Sequence, residues 1–253
     1  MNAIAENWRG TPPITRSIFM LTFILSLGCY LDLFTKLKLY FNWKLIWHNM
    51  EWWRLFTSLF FKGELSPHTL FDFYICFRYM YSLETTSFRN KPADFITFIV
   101  LGCCLFLFAS YMLGLQNTSG SVSTMMLYLW SRKNPNIELS FLDVFHFRSC
   151  FLPYFLFLMT LLFGNDVTLD LMGILAGHIY YFCEDVVPRV PETRSKKILQ
   201  APRWLVRLCD FLRIHEFGAN DFFNDGGGGI FGGWLGGEDP QMRDEQFMEE
   251  VNR

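Results

Sequence analysis

Six long runs of apolar residues constrain the fold of this chain more than any other feature. They cover approximately residues 17–34, 69–86, 93–114, 119–131, 150–165 and 168–187. A soluble domain scatters its apolar residues at the period of its helices or strands, whereas runs approaching 20 residues are typical of helices that cross a bilayer. The sequence therefore predicts an all-α polytopic membrane protein with six transmembrane helices.

The composition agrees with this prediction. Of the 253 residues, 51% are hydrophobic and only 18% are charged. Six of the seven cysteines fall in or beside apolar runs, and none has a spacing that suits zinc, so we expect packing residues and neither a disulfide, a metal site nor a cofactor. The charges lie in the loops and the tail, and nothing in them indicates a nucleic-acid partner.

The basic residues between the runs predict the orientation. Under the positive-inside rule both termini lie in the cytosol, because the segments on that side hold most of the basic residues, namely Arg9, Arg16, Arg89, Lys91, Arg132, Lys133 and Arg148. The loop 35–68 is an exception, with Lys36, Lys38, Lys44, Arg54 and Lys62. It is also rich in tryptophan, so we expect it to lie in the interface with its cationic ends at lipid phosphates. A cleavable signal ending near Gly28 is the alternative to a retained first span.

The chain divides into four segments. A cytosolic segment, 1–16, precedes the membrane domain, 17–188. Residues 189–216 predict a basic amphipathic helix on the anionic cytosolic leaflet, with a short helix packed on the protein's own loops as an equal alternative. Residues 217–253 are glycine-rich and then acidic, which indicates a disordered tail. The apolar residues embedded there resemble a docking motif for a partner, through Phe231, Trp234 and Leu235.

Three polar features within apolar surroundings are candidates for function. Asp72 and Arg78 lie in the second run, where each costs a few kcal/mol in hydrocarbon. Six residues place them roughly 240° apart on a helix, so each needs its own partner or a water-filled cavity beside a thinned bilayer. Arg54, next to Trp53, has five donors that can hold the loop to carbonyl oxygens or stack on an indole.

The last run raises the question of a serine protease. Gly173 and Gly177 lie one turn apart, which favours close helix packing. In rhomboid proteases the histidine precedes such a glycine pair by three residues, and here that position holds Asp170, whereas His178 follows the pair. His178 is therefore ~12 Å further along the helix, too far from Ser119 for the ~3 Å contact of a serine and its base. This spacing predicts a protease fold without its catalytic dyad.

The chain resembles the derlins, the pseudoprotease branch of the rhomboid superfamily, and is most similar to their derlin-two and derlin-three type. The resemblance rests on ordered blocks that include "WWRLFTSLFF" at 52–61, "SFRNKPADF" at 87–95 and "GILAGHIYYFCEDVVP" at 173–188. Trp53 and Arg54 match the family's WR motif, and Gly173 and Gly177 match its glycine motif. The tail motif departs from the family pattern because it lacks an arginine, and Asp72 stands where the resemblance implies a neutral amide.

The resemblance implies a six-span rhomboid-like fold in the endoplasmic reticulum membrane and a non-enzymatic part in ER-associated degradation. Such a protein helps misfolded proteins return to the cytosol, through a polar lateral face and local membrane thinning. The implied partners are an HRD-type ubiquitin ligase complex, the AAA+ unfoldase valosin-containing protein, misfolded ER proteins, ER lipids and other derlin copies. The alternatives are an intramembrane serine protease using Ser119 and His178, and a scaffold that only recruits the unfoldase.

Overall fold

Helices make up most of the described chain. The computed structural model describes residues 11–89, 91–141, 145–162, 166–189, 199 and 201–211. Its α-helices are α1 Pro13–Tyr30, α2 Trp43–His48, α3 Trp53–Phe60, α4 Pro67–Ser82, α5 Pro92–Leu113, α6 Ser119–Lys133, α7 Leu152–Leu162, α8 Thr168–Tyr181 and α9 Arg203–Phe211. A short antiparallel hairpin, β1 Glu138–Phe141 and β2 Phe145–Arg148, joins α6 to the turn before α7.

The ends of these helices follow from local sequence. Proline occupies the first turn of α1, α4 and α5, where its missing N–H leaves no hydrogen bond unmade. The hydroxyl of Ser66 caps α4 by accepting from the backbone N–H of Thr69. Gly114 ends α5 in the left-handed conformation, at φ 69°. The boundaries of α1, α4 and α5 thus follow from residues that begin or end a helix.

Helix α6 forms the centre of the bundle. It packs most extensively on α8, which runs parallel to it, and also contacts α3, α4, α5 and α7. Small hydroxyl side chains from this helix are buried, namely Ser119, Ser121, Ser123 and Ser131. On the outer helices large apolar side chains are exposed, as in Ile24, Phe108, Leu162 and Leu175. Buried hydroxyl groups within a largely hydrophobic core, surrounded by exposed apolar side chains, suit a lipid surrounding.

Each of the six apolar runs forms a helix, as the sequence predicts. Two of these helices, Pro13–Tyr30 and Pro92–Leu113, are long and apolar enough by themselves to cross a membrane, and Ser149–Leu162 is a shorter apolar segment. Within the amphipathic segment, α9 is helical, while the glycine-rich and acidic segment 217–253 lies outside the described residues.

Candidate functional site

An ion pair lies between the loop after α3 and helix α4. Lys62 Nζ is 2.7 Å from Asp72 Oδ2, and it also donates to the hydroxyl of Ser123 on α6. The Lys62 side chain is only 3% exposed, so the prediction that it reaches lipid phosphates is wrong. The chain turns inward here because Phe61 is fully buried and Gly63 takes a positive φ of 103°. A buried amine needs a charged partner, and Asp72 provides it.

The second charge on α4 has a different neighbour. Arg78 is half-buried and donates from Nη1 to the hydroxyl of Tyr74, one turn earlier, at 2.8 Å. Asp72 and Arg78 therefore each have a partner of their own. Both are still partly open to the surroundings, and the Asp72 side chain is 26% exposed. Helix α4 thus places polar groups at the margin of the bundle.

A small cavity lies between α1 and α4 beside this ion pair, with a volume of about 10 Å³. The two helices are in contact there, because the ring of Phe19 lies 5.9 Å from that of Phe73 and 5.0 Å from that of Phe77, measured between centroids. Its walls are formed by Thr15, Ile18, Phe19, Thr22, Lys62, Phe73, Cys76, Phe77 and Met80. The cavity is therefore mainly apolar, with Lys62 as the charged group in its lining.

Arg54 holds together the segment between α1 and α4. Its Nη1 donates to the carbonyl oxygens of Leu37 at 2.7 Å and of Tyr40 at 2.9 Å, and its Nε donates to the Glu51 carboxylate. Bonding to carbonyls is one of the two contacts predicted from the five donors of arginine, whereas the prediction that Arg54 reaches lipid phosphates is wrong, because its side chain is only 5% exposed. The bond from Arg54 Nε holds the pKa of Glu51 below its ordinary value. Trp53 differs from the buried Arg54 because its side chain points outward and is 52% exposed.

The two glycines of α8 lie in its interface with α6. A Cβ atom at Gly173 would come within 2.6 Å of Thr124 Cβ and 2.7 Å of the Ser121 carbonyl oxygen. One at Gly177 would come within 2.8 Å of Tyr128 Cδ1. The two backbones approach so closely because these positions carry no side chain.

Hydrogen bonds fix the register of α8 against α6. Ser121 donates to the carbonyl of Leu169 at 2.8 Å, and Thr124 donates to Asp170 at 2.8 Å. The hydroxyl of Tyr128 lies 2.7 Å from His178 Nδ1, at the far end of the same interface.

This register separates the two residues of the suspected dyad. Ser119 begins α6 nine residues before Tyr128. That spacing corresponds to about 13 Å along the helix axis. The Tyr128 hydroxyl, which bonds His178, also accepts from Arg132 Nε at 3.2 Å.

Sequence reasoning missed the role of Glu84. This buried carboxylate accepts from the backbone N–H groups of Ile14 at 3.1 Å and Thr15 at 2.7 Å, and from the Thr15 hydroxyl at 2.7 Å. It thereby caps α1, whose Pro12 supplies no side-chain cap. Its position inside the second apolar run was a usable signal, because a buried carboxylate requires donors.

The remaining predicted residues fall outside these sites. Phe231, Trp234 and Leu235 lie outside the described residues. Among the residues that the structure describes, no cluster of three or more His, Cys, Asp or Glu side chains is arranged to hold a metal ion.

Comparison with known proteins relates this arrangement to one family. The profile of the Der1-like family matches residues 11–203. The chain is 36% identical over 213 residues to the probable derlin-2 homolog of Dictyostelium discoideum, covering 81% of this chain and 83% of that protein. It is 35% identical over 206 residues to Derlin-2.2 of Zea mays, covering 77% and 83%. It is also 31% identical over 221 residues to Derlin-1.1 of Zea mays, covering 85% and 88%.

Proposed function

The chain belongs to the Der1-like family, the derlins, and on that premise we propose that it assists the retrotranslocation of misfolded proteins without catalysing a reaction. The family assignment gives it a role related to ER-associated degradation and a place among inactive rhomboid-like membrane proteins. The finer proposal is a six-span protein of the endoplasmic reticulum membrane with both termini in the cytosol. In this proposal the client passes along the polar margin of α4, beside the loop 35–68.

The observation that carries this proposal is the set of charged and polar side chains that α4 and the loop before it place at the margin of the bundle. Lys62, Asp72 and Ser123 form a hydrogen-bonded set there, within a bundle whose outer surface is apolar. An unpaired polar group of a client chain costs several kcal/mol in hydrocarbon. Asp72 and Arg78 are partly open to the surroundings on α4, and polar groups near the lipid boundary lower that cost for a client passing beside this helix.

The dimensions of the bundle support local membrane thinning. The apolar segment Ser149–Leu162, with its exposed Leu158, Leu161 and Leu162, has 14 residues, whereas α5 with 22 residues is long enough to cross a full bilayer. At 1.5 Å per residue the short segment corresponds to about 21 Å, against about 30 Å for a typical hydrocarbon core. A short apolar rim makes the surrounding bilayer thinner or draws water toward it. Either effect shortens the apolar path of a client.

The hydrogen bonds of α8 support a non-catalytic protein. His178 bonds Tyr128, about 13 Å along α6 from Ser119, and Asp170 bonds Thr124, about 7 Å along the axis from that serine. Neither group is therefore at the level of the Ser119 hydroxyl, where a general base must come within about 3 Å. Labelling of Ser119 by a fluorophosphonate, lost in Ser119→Ala, would support the protease alternative instead.

The partners follow from family membership. We propose that the chain works with an HRD-type ubiquitin ligase complex, with other derlin copies and with the AAA+ unfoldase valosin-containing protein. The unfoldase would bind the tail through Phe231, Trp234 and Leu235. Deletion of 226–237 should then abolish recovery of the unfoldase with the full membrane protein, and unchanged recovery would refute this site.

Turnover of a misfolded ER client tests the function. Cells depleted of this protein would be rescued with the wild type, with Ser119→Ala/His178→Ala, with Trp53→Ala or with Gly177→Leu, and the half-life of the client would be measured. We expect the serine–histidine variant to restore degradation and the other two to fail. Because His178 also bonds Tyr128, failure of the serine–histidine variant would indicate a protease only if Ser119→Ala alone fails as well while its protein level matches the wild type.

If the chain is a scaffold that only recruits the unfoldase, the same rescue experiment should give the opposite result for the two variants of the membrane domain. Trp53→Ala and Gly177→Leu would then restore degradation, whereas deletion of 226–237 would not.

A further inference from the structure

Helix α9 has two apolar faces, and only one of them is packed against the protein. Leu205 is 7% exposed and Cys209 is 1% exposed, and both contact Ala93 at the start of α5. The adjacent face is open, with Trp204 67% exposed, Leu208 45% exposed and Phe211 83% exposed. At 100° per residue these three side chains lie within about 60° of one another. They form one continuous stripe, called here the α9 stripe.

The packed face fixes the level at which α9 lies. It contacts Ala93 and Ile96 in the first turns of α5, and the backbone N–H of Ala201 donates to Asp94 Oδ1 at 3.4 Å. Helix α5 is the more apolar of the two helices that are long enough to cross a membrane, and we take its first residue as the level at which it would enter the bilayer. Contacts with its first five residues place α9 within about 6 Å of that level along the α5 axis.

This level is where an amphipathic helix binds a bilayer. Such helices bury their apolar face about 5–10 Å into the boundary between headgroups and acyl chains. The charged side chains of α9, Arg203, Arg207 and Asp210, are exposed on the side away from Leu205 and Cys209. Both arginines lie on one side of the α9 stripe on the helical wheel, with Arg207 next to Phe211, and long cationic side chains at this place can reach lipid phosphates.

We propose that the α9 stripe binds the surface of the lipid bilayer next to α5. Helix α9 then has protein on one side, lipid on the second and water on the third. This resolves the alternatives that the sequence leaves open, because packing on the protein and binding to the leaflet use different faces of one helix. Helix α9 would then be a membrane anchor that fixes where the C-terminal tail leaves the bilayer. This inference does not depend on the proposed function.

A second copy of this chain is a poorer occupant. Three side chains on a helix of nine residues offer far less than the ~800 Å² per partner that a stable protein interface buries. A bilayer needs no matching shape, and it is already present beside α5.

Photo-crosslinking of the full chain tests this proposal. The purified protein would be placed in nanodiscs of phosphatidylcholine and phosphatidylserine in equal parts, with p-benzoylphenylalanine at Phe211 or, as the matched control, at Val206. Val206 is 38% exposed and lies on the side of the helix away from the stripe. We expect adducts with lipid at position 211, several-fold more than at position 206. Adducts with protein at position 211, or equal lipid adducts at both positions, would overturn the proposal.

A charge in the stripe provides the second test. Leu208→Glu should strongly reduce the lipid adducts at position 211, because the carboxylate would enter the acyl boundary. Val206→Glu, with the same charge two residues away, should leave them unchanged. The melting temperatures in detergent should match the wild type, since neither side chain contacts Ala93. Equal adducts in both variants would contradict lipid binding by this face.

Discussion

Lys62 Nζ and Asp72 Oδ2 lie 2.7 Å apart although the residues are ten positions apart in sequence, and the amine is almost fully enclosed by the bundle. The pair joins the loop before α4 to that helix, and the hydroxyl of Ser123 joins Lys62 to α6. Removal of one member of such a pair leaves the other as an uncompensated charge, which costs more than removal of both. The ion pair thus makes the position of α4 depend on the loop that precedes it.

Asp72→Asn should therefore lower the free energy of unfolding more than the double change Lys62→Met/Asp72→Asn. Breaking a buried pair costs about 3–5 kcal/mol, and the double variant avoids the buried, uncompensated amine. Chemical unfolding in detergent measures both. The control is Glu64→Gln, because Glu64 pairs with Lys36 at 3.1 Å with both side chains more than half exposed, and such pairs contribute about 1 kcal/mol or less. An Asp72→Asn effect no larger than the control would contradict the pairing.

Substitutions at Arg54 and at Trp53 should have different effects on the stability of the protein. Arg54→Lys loses the fork that reaches Leu37, Tyr40 and Glu51 together, and hydrogen bonds of a charged group contribute about 1.5–3 kcal/mol each. We expect a clear loss of stability. Trp53→Ala should leave stability within about 0.5 kcal/mol, because its side chain faces outward. Equal melting temperatures for the two variants would refute this division.

Alanine at three glycines should give a graded series of stability losses. Gly173→Ala should cost most, because its Cβ would lie 2.7 Å from a backbone oxygen that moves only with α6. Gly177→Ala should cost less, since it meets the Tyr128 side chain, and overpacking of this kind costs about 1–3 kcal/mol. Gly120→Ala is the control, with its nearest atom at 3.4 Å. Thermal unfolding that ranks Gly120→Ala with Gly173→Ala would contradict the close approach of α6 and α8.

Glu84→Gln should loosen the start of α1. The amide has one acceptor oxygen in place of two, so the donors of Ile14 and Thr15 cannot all be satisfied, at a cost of about 1–3 kcal/mol. Hydrogen exchange of the backbone amides at 14 and 15 should be faster in the variant. Thr15→Val removes only the hydroxyl and should have the smaller effect. A larger effect of Thr15→Val would show that the hydroxyl, and not the cap, holds α1.

The sequence predicted local features better than long-range contacts. The six runs predicted six helices because apolar length is a local property, and the 240° between Asp72 and Arg78 predicted separate partners from helix geometry alone. The partner of Asp72 could not be predicted in the same way, because the inward turn at Lys62 depends on how Phe61 packs.

Two further contacts illustrate the same limit. Glu84 meets Thr15 across 69 residues, and Tyr128 meets His178 across 50. Both depend on the rotation and register of helices that are distant in sequence. Periodicity gives the apolar face of a helix but not the level at which it meets its neighbour.

Site-specific crosslinking of an arrested client measures most directly whether polar chain passes beside α4. A photoreactive residue would replace Leu70 of α4, which is 55% exposed, or Leu158 of α7, which is 48% exposed and serves as the control. The account predicts crosslinks from position 70 that disappear when the client is released, and few from position 158. Equal crosslinks at the two positions, or crosslinks at position 158 alone, would contradict a client path along α4.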